Sequence, residues 1–84
     1  MRVHLQSTLL ASALYDPLLR RLEIEFHSGE RYLYFQVPPL CYQQFLQADS
    51  KGSFFNRQIR NRFPFQHLSH PQAPVVLAAP SKTK

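Results

Sequence analysis

The segment Leu22-Glu23-Ile24-Glu25-Phe26 constrains this chain more than any other. Apolar and acidic residues alternate strictly along it, and a period of two is what a strand with one buried face requires. His27-Ser28-Gly29 follows as a tight turn. Arg31-Tyr32-Leu33-Tyr34-Phe35-Gln36-Val37 is then a run of β-formers, stopped by Pro38-Pro39. Together these segments predict an antiparallel hairpin.

The length of the turn decides which way the tyrosines point. A three-residue loop with Gly29 in the left-handed conformation sets Tyr32 opposite Ile24 and Tyr34 opposite Leu22, on the core face. It also sets Arg31 across from Glu25, an attractive pair. A two-residue Ser28-Gly29 turn would shift the register by one and move both tyrosines to the acidic face. The longer loop is preferred because it gives the glycine a steric role and pairs opposite charges.

Leu9 to Tyr15 reads as an earlier strand, ended by the turn-forming pair Asp16-Pro17. After Pro38-Pro39, Cys41, Tyr42, Phe45, Leu46 and Ala48 form a stripe at helical spacing, while Gln43, Gln44 and Gln47 face outward. Asp49 or Ser50 can cap a second helix. In it Phe55, Ile59 and Phe63 share one face, Arg57, Arg60 and Asn61 project from the opposite one, and Pro64 marks the end. The expected fold class is α+β, a three-stranded antiparallel meander followed by two helices. Residues 1–68 form the domain. Residues 69–84, punctuated by Pro71, Pro74 and Pro80, are expected to be a mobile tail.

Composition narrows the setting. Cys41 is the only cysteine, so no internal disulfide can form, and a small domain without bridges suits a reducing, cytoplasmic compartment. Met1-Arg2 and Ala11-Ser12-Ala13 faintly resemble a signal peptide, but His4, Gln6, Ser7 and Thr8 interrupt the apolar stretch. Net charge is +5. Residues 1–36 hold four arginines against four carboxylates, whereas residues 37–84 hold six cations against Asp49 alone. The whole excess falls in the second half, which points to an anionic partner.

The ordered set of Tyr15-Asp16-Pro17, Leu22 to Phe26, Gly29, Tyr32-Leu33-Tyr34 and Val37-Pro38 resembles the KTSC domain. Tyr42, Leu46, Ala48, Ser50-Lys51-Gly52, Phe54-Phe55-Asn56 and Ile59-Arg60 continue the likeness, which covers roughly residues 7 to 65. Leu14 stands where the family often has a small residue before the tyrosine. The resemblance implies an α+β module found at the C-terminus of some lysyl-tRNA synthetases and as a free-standing small bacterial protein. Through that company it suggests RNA binding.

Lys51, Arg57, Arg60 and Arg62, with Asn61, are the candidate nucleic-acid-binding residues, since guanidinium groups take phosphate oxygens bidentately. The plainer alternative is a solvated helix face. Tyr32 and Tyr34 could stack on unpaired bases, yet the preferred register makes them core residues. Cys41 belongs to an apolar stripe and reads as a packed thiol. His67-x-x-His70 lacks further metal ligands nearby. Glu23 and Glu25 alternate on a strand face without the burial that acid catalysis needs. No catalytic site, cofactor or metal is expected. The expected function is a small non-catalytic nucleic-acid-binding module, for RNA, with no membrane contact. The alternative is a protein-interaction adaptor using Leu33 and Phe35 on the sheet surface.

Overall fold

A computed structural model describes residues 1–68. The expectation for the tail over 69–84 lies outside those residues. Gly29 takes φ 98°, a conformation that any Cβ would strain. Its N–H donates to Phe26 O and the Phe26 N–H donates to Glu30 O, both at 2.9 Å, closing a three-residue loop. The register follows directly: Leu22 faces Tyr34, Ile24 faces Tyr32 and Glu25 faces Arg31. Both tyrosines therefore share a face with the apolar residues of the preceding strand.

Among the described residues the sheet has five strands, not three. They are β1 (Arg2–His4), β2 (Leu10–Asp16), β3 (Arg21–Phe26), β4 (Arg31–Tyr34) and β5 (Phe65–Leu68), antiparallel and in chain order. The two helices do not follow the sheet; they are inserted before its last strand. β1 is three residues long and its outer members Arg2 and His4 are polar, so no run of alternation announces it. β5 lies directly after Pro64, a position that reads as the close of a helix. An edge strand has one unpaired side and tolerates a proline at its start, and here Pro64 O accepts from Phe35 N–H at 2.9 Å. The run ending at Val37 is cut short at Tyr34, because Gln36 turns to φ 63°.

Asp16 Oδ1 accepts from the N–H groups of Leu18 and Leu19 at 2.9 and 3.2 Å, bending the chain from β2 into β3. Helix α1 (Pro39–Gln47) begins on a proline, which needs no amide donor there. Helix α2 (Lys51–Phe54) is capped by Ser50, whose Oγ accepts from Ser53 N–H at 3.2 Å. Asp49 is not the cap. From Phe55 to Ile59 this helix widens into a π-turn, with Arg60 N–H donating to Phe55 O at 2.8 Å.

One face of the sheet carries the core. Leu10, Ala13, Leu22, Ile24 and Tyr34 from the strands meet Val37, Phe45, Phe55 and Ile59. Tyr15 donates its hydroxyl to Val37 O at 2.6 Å and stacks on Tyr42 with centroids 4.4 Å apart. The opposite face carries an ion-pair network. Arg2 reaches Glu23 at 2.8 Å and Arg31 reaches the same carboxylate at 3.1 Å. Arg31 thus passes over its cross-strand neighbour Glu25 and pairs diagonally. Glu25 accepts instead from Ser12 Oγ at 2.8 Å, and Ser12 Oγ accepts from Arg2 at 2.9 Å.

Two outcomes test this arrangement. Gly29→Ala should destabilise the domain by about 1–2 kcal/mol in chemical denaturation, because alanine disfavours the left-handed turn. Tyr34→Ala should cost about 3–5 kcal/mol, and Tyr34→Phe, which keeps every ring contact, far less.

Burial pushes the Tyr34 phenol up to about 12, against the opposing pull of the Arg60 charge. The folded state therefore holds that proton more tightly than the unfolded chain, whose tyrosines titrate near 10. Its contribution should be intact below pH 10 and disappear as pH rises from 10 through 12. Urea titrations across that window should show a steeper loss for wild type than for Tyr34→Phe.

Candidate functional site

The helices leave one end of the core-side face of the sheet uncovered. β4 and β5 meet there through two directly paired couples, Tyr34 with Phe65 and Tyr32 with His67. Because strand side chains alternate, all four rings point to the same side. Tyr32 stacks on His67 with centroids 4.6 Å apart, and Phe65 lies 5.7 Å from Tyr32 and 5.8 Å from Tyr34. Phe26 meets Tyr32 edge to face at 5.8 Å. The result is an aromatic floor, and Phe65 remains 56% exposed on it.

Arg60 and Asn61 form the other wall. Together with Phe26, Tyr32, Tyr34 and Phe65 they enclose a cleft of about 180 Å³. The π-turn is what delivers them. On a regular α-helix of 100° per residue, Arg60 would sit roughly 140° around the axis from Phe55. Closing the ring one residue later swings it back. Its guanidinium lies over the Phe55 ring, 5.9 Å from the centroid, inside the reach of about 6 Å for such contacts. Arg60 also donates to Asn56 Oδ1 at 3.0 Å, which fixes its direction while leaving it exposed. This corrects the expectation that Arg60 and Asn61 project from the pole opposite Phe55.

The five sequence-selected residues are not all brought together. Arg60 and Asn61 share the cleft. Arg57 is exposed on the same turn of helix. Lys51 stands nine residues before Arg60, about 13 Å of helix rise away. Its Nζ donates to Ala48 O at 3.1 Å, and it lines a separate polar recess with Ser7, Thr8 and Asn56. Arg62 is exposed, and its charge acts on Cys41, partly offsetting the burial that pushes that thiol up. A half-buried cysteine held in its protonated form is a poor nucleophile.

Elsewhere among the described residues, three arginines are engaged. Arg2 and Arg31 are committed to Glu23, and Arg21 lies over the Phe35 ring at 5.6 Å. His67 approaches Glu30 at 3.7 Å. From Ser50 to Leu68 the described chain carries no carboxylate at all. Phe26 and Phe65 line the cleft but were not assigned to a site from the sequence, and His67, weighed there only as a metal ligand, stacks on Tyr32 beside them. The signal for two of them was present, because Phe65 and His67 alternate with Gln66 and Leu68 after Pro64. Among the described residues, no group of three His, Cys, Asp or Glu side chains is placed to hold a metal ion. No helix among them is long and apolar enough to cross a membrane.

The KTSC domain family model matches residues 6–63. An uncharacterised protein of Stutzerimonas stutzeri is 52% identical over 56 residues, which cover 67% of this chain and 79% of that one. A lysine–tRNA ligase of Nostoc punctiforme is 44% identical over 55 residues, covering 66% of this chain but only 10% of the ligase. The crystal structure of a KTSC domain protein from Yersinia pestis superposes with a TM-score of 0.79 at 36% identity, covering 82% of this chain and 97% of that one. With the sheet, the helices and the matched residues in agreement, this chain belongs to the KTSC domain family.

Proposed function

We propose that this protein is a small, non-catalytic module that binds single-stranded RNA in the cytoplasm. Arg57, Arg60 and Arg62 take the phosphates, and the adjoining aromatic cleft faces the bases. One observation carries the reading: a helix end rich in arginine and free of carboxylates opens onto an aromatic cleft whose outer ring, Phe65, is exposed. Positive charge tracking the backbone beside stacking surfaces is how single strands are held without a deep catalytic pocket. The recurrence of the domain within proteins named lysine–tRNA ligase supports the same partner class.

The alternative, an adaptor using Leu33 and Phe35, has less support. Both side chains are only half exposed, on or beside the face that the Arg2–Glu23–Arg31 network occupies. That network leaves a mixed polar surface in place of a contiguous apolar patch.

If three arginines each meet one phosphate, the logarithmic salt slope for a single strand should be about −2. That amounts to roughly a twentyfold loss of affinity between about 50 and 200 mM salt. Replacing Arg57 and Arg60 together by Glu should abolish binding, while circular dichroism shows an intact fold, since both side chains are exposed. Lys51→Ala should leave the slope nearly unchanged, because its ammonium sits apart from the arginines. An adaptor would be indifferent to the double substitution. Absence of binding by wild type at low salt would sink the proposal.

A further inference from the structure

We infer that the cleft takes one unpaired pyrimidine base, stacked on the exposed Phe65 ring and held at its edge by Asn61. The inference rests on the RNA-binding reading and specifies what the cleft does within it.

Size comes first. A cavity of about 150 Å³ is enough to hold benzene, whereas pockets that enclose a drug-sized ligand run from roughly 300 to 1,000 Å³. At about 180 Å³ this cleft accommodates one six-membered ring and not a whole nucleotide. The fused rings of a purine would enter only in part.

Chemistry comes second. The floor is aromatic, and Phe65, the ring with most free surface, is 56% exposed at the cleft. Every base has a π-face, so stacking supplies attraction without choosing among bases. Asn61, an exposed carboxamide with one acceptor and two donors, anchors the base at its edge, and the choice of a single ring falls to the size of the cleft. The Watson–Crick edges of uracil and cytosine each place a donor beside an acceptor. A carboxamide answers either order by turning over. Arg60, held by Asn56 Oδ1 at 3.0 Å, stands at the same wall. Its guanidinium meets the phosphate that must leave the cleft with the sugar. The absence of carboxylates from Ser50 to Leu68 means that nothing on this stretch repels that phosphate.

The test compares three strands of about eight nucleotides at low salt: oligouridylate, oligoadenylate and an abasic ribose-phosphate chain of the same charge. Wild type should bind oligouridylate most tightly and lose about five- to a hundredfold on the abasic chain, the range expected for stacking one base. Phe65→Ala should lose a similar factor on oligouridylate and nothing on the abasic chain. Asn61→Ala, an exposed position that leaves the rings in place, should also weaken oligouridylate alone. It keeps the test informative if Phe65→Ala disturbs β5. Equal binding of oligouridylate and the abasic chain would overturn the inference while leaving phosphate-based RNA binding standing. Tighter binding of oligoadenylate would overturn it as well. If none of the strands binds and a blocked phenylalanine amide shifts the Tyr32 and Phe65 resonances, the RNA reading itself fails and the cleft belongs to an aromatic peptide.

Discussion

The left-handed turn at Gly29 is the constraint on which the rest of the structure depends. It fixes the pairing of β3 with β4, and a slip of one residue would exchange the two faces of β4. Tyr34 would leave the core, Leu33 would enter it, and the ring pairs with Phe65 and His67 would face the ion network. The core, the network and the aromatic floor are three expressions of one register. Each also penalises the slipped alternative, since Arg31 would then lie among apolar rings with no carboxylate in reach.

The second determinant is the π-turn. Such turns interrupt the regular hydrogen-bond ladder and are frequent at functional sites. Here Phe55 and Ile59 both reach the core, and the widened ring lays Arg60 back over the Phe55 face. A regular helix would satisfy the two apolar anchors equally well but would carry Arg60 and Asn61 away from the sheet. The interruption thus trades ladder regularity for the placement of one guanidinium and one carboxamide beside four rings. It also explains why the basic residues divide: those before the turn follow the ordinary helical repeat, and those after it do not.

Much of this was legible in the residues. Alternation gave β3, Gly29 gave the loop length and so the facing of Tyr32 and Tyr34, and the proline pair gave the start of α1. What escaped did so for identifiable reasons. β1 is too short for a period of two to show, and it forms because β2 offers a free edge, not through its own propensity. β5 follows a proline at a point where a helix must end, and either a loop or an edge strand satisfies that signal. The π-turn leaves no mark in composition, because apolar residues at positions 55, 59 and 63 read as an unbroken α-helical stripe. The candidate site inherits these gaps. Arg60 and Asn61 were visible as charged and polar positions, but Phe65 lay on a strand that had not been recognised and the π-turn that brings them to Tyr32 and Tyr34 was hidden, so the cleft could not be assembled from spacing alone.

The position of β5 has a consequence for how long the cleft persists. Among the described residues it is paired on one side only, and three of its four residues are exposed. Segments with few buried contacts separate from the parent structure at a free energy well below that of global unfolding. Fraying of β5 removes Phe65 and His67 from the floor while Leu22, Ile24 and Phe45 stay packed. The lifetime of the cleft is therefore governed by the detachment of four residues at the sheet margin. A substitution can empty it without any change in the melting temperature of the domain.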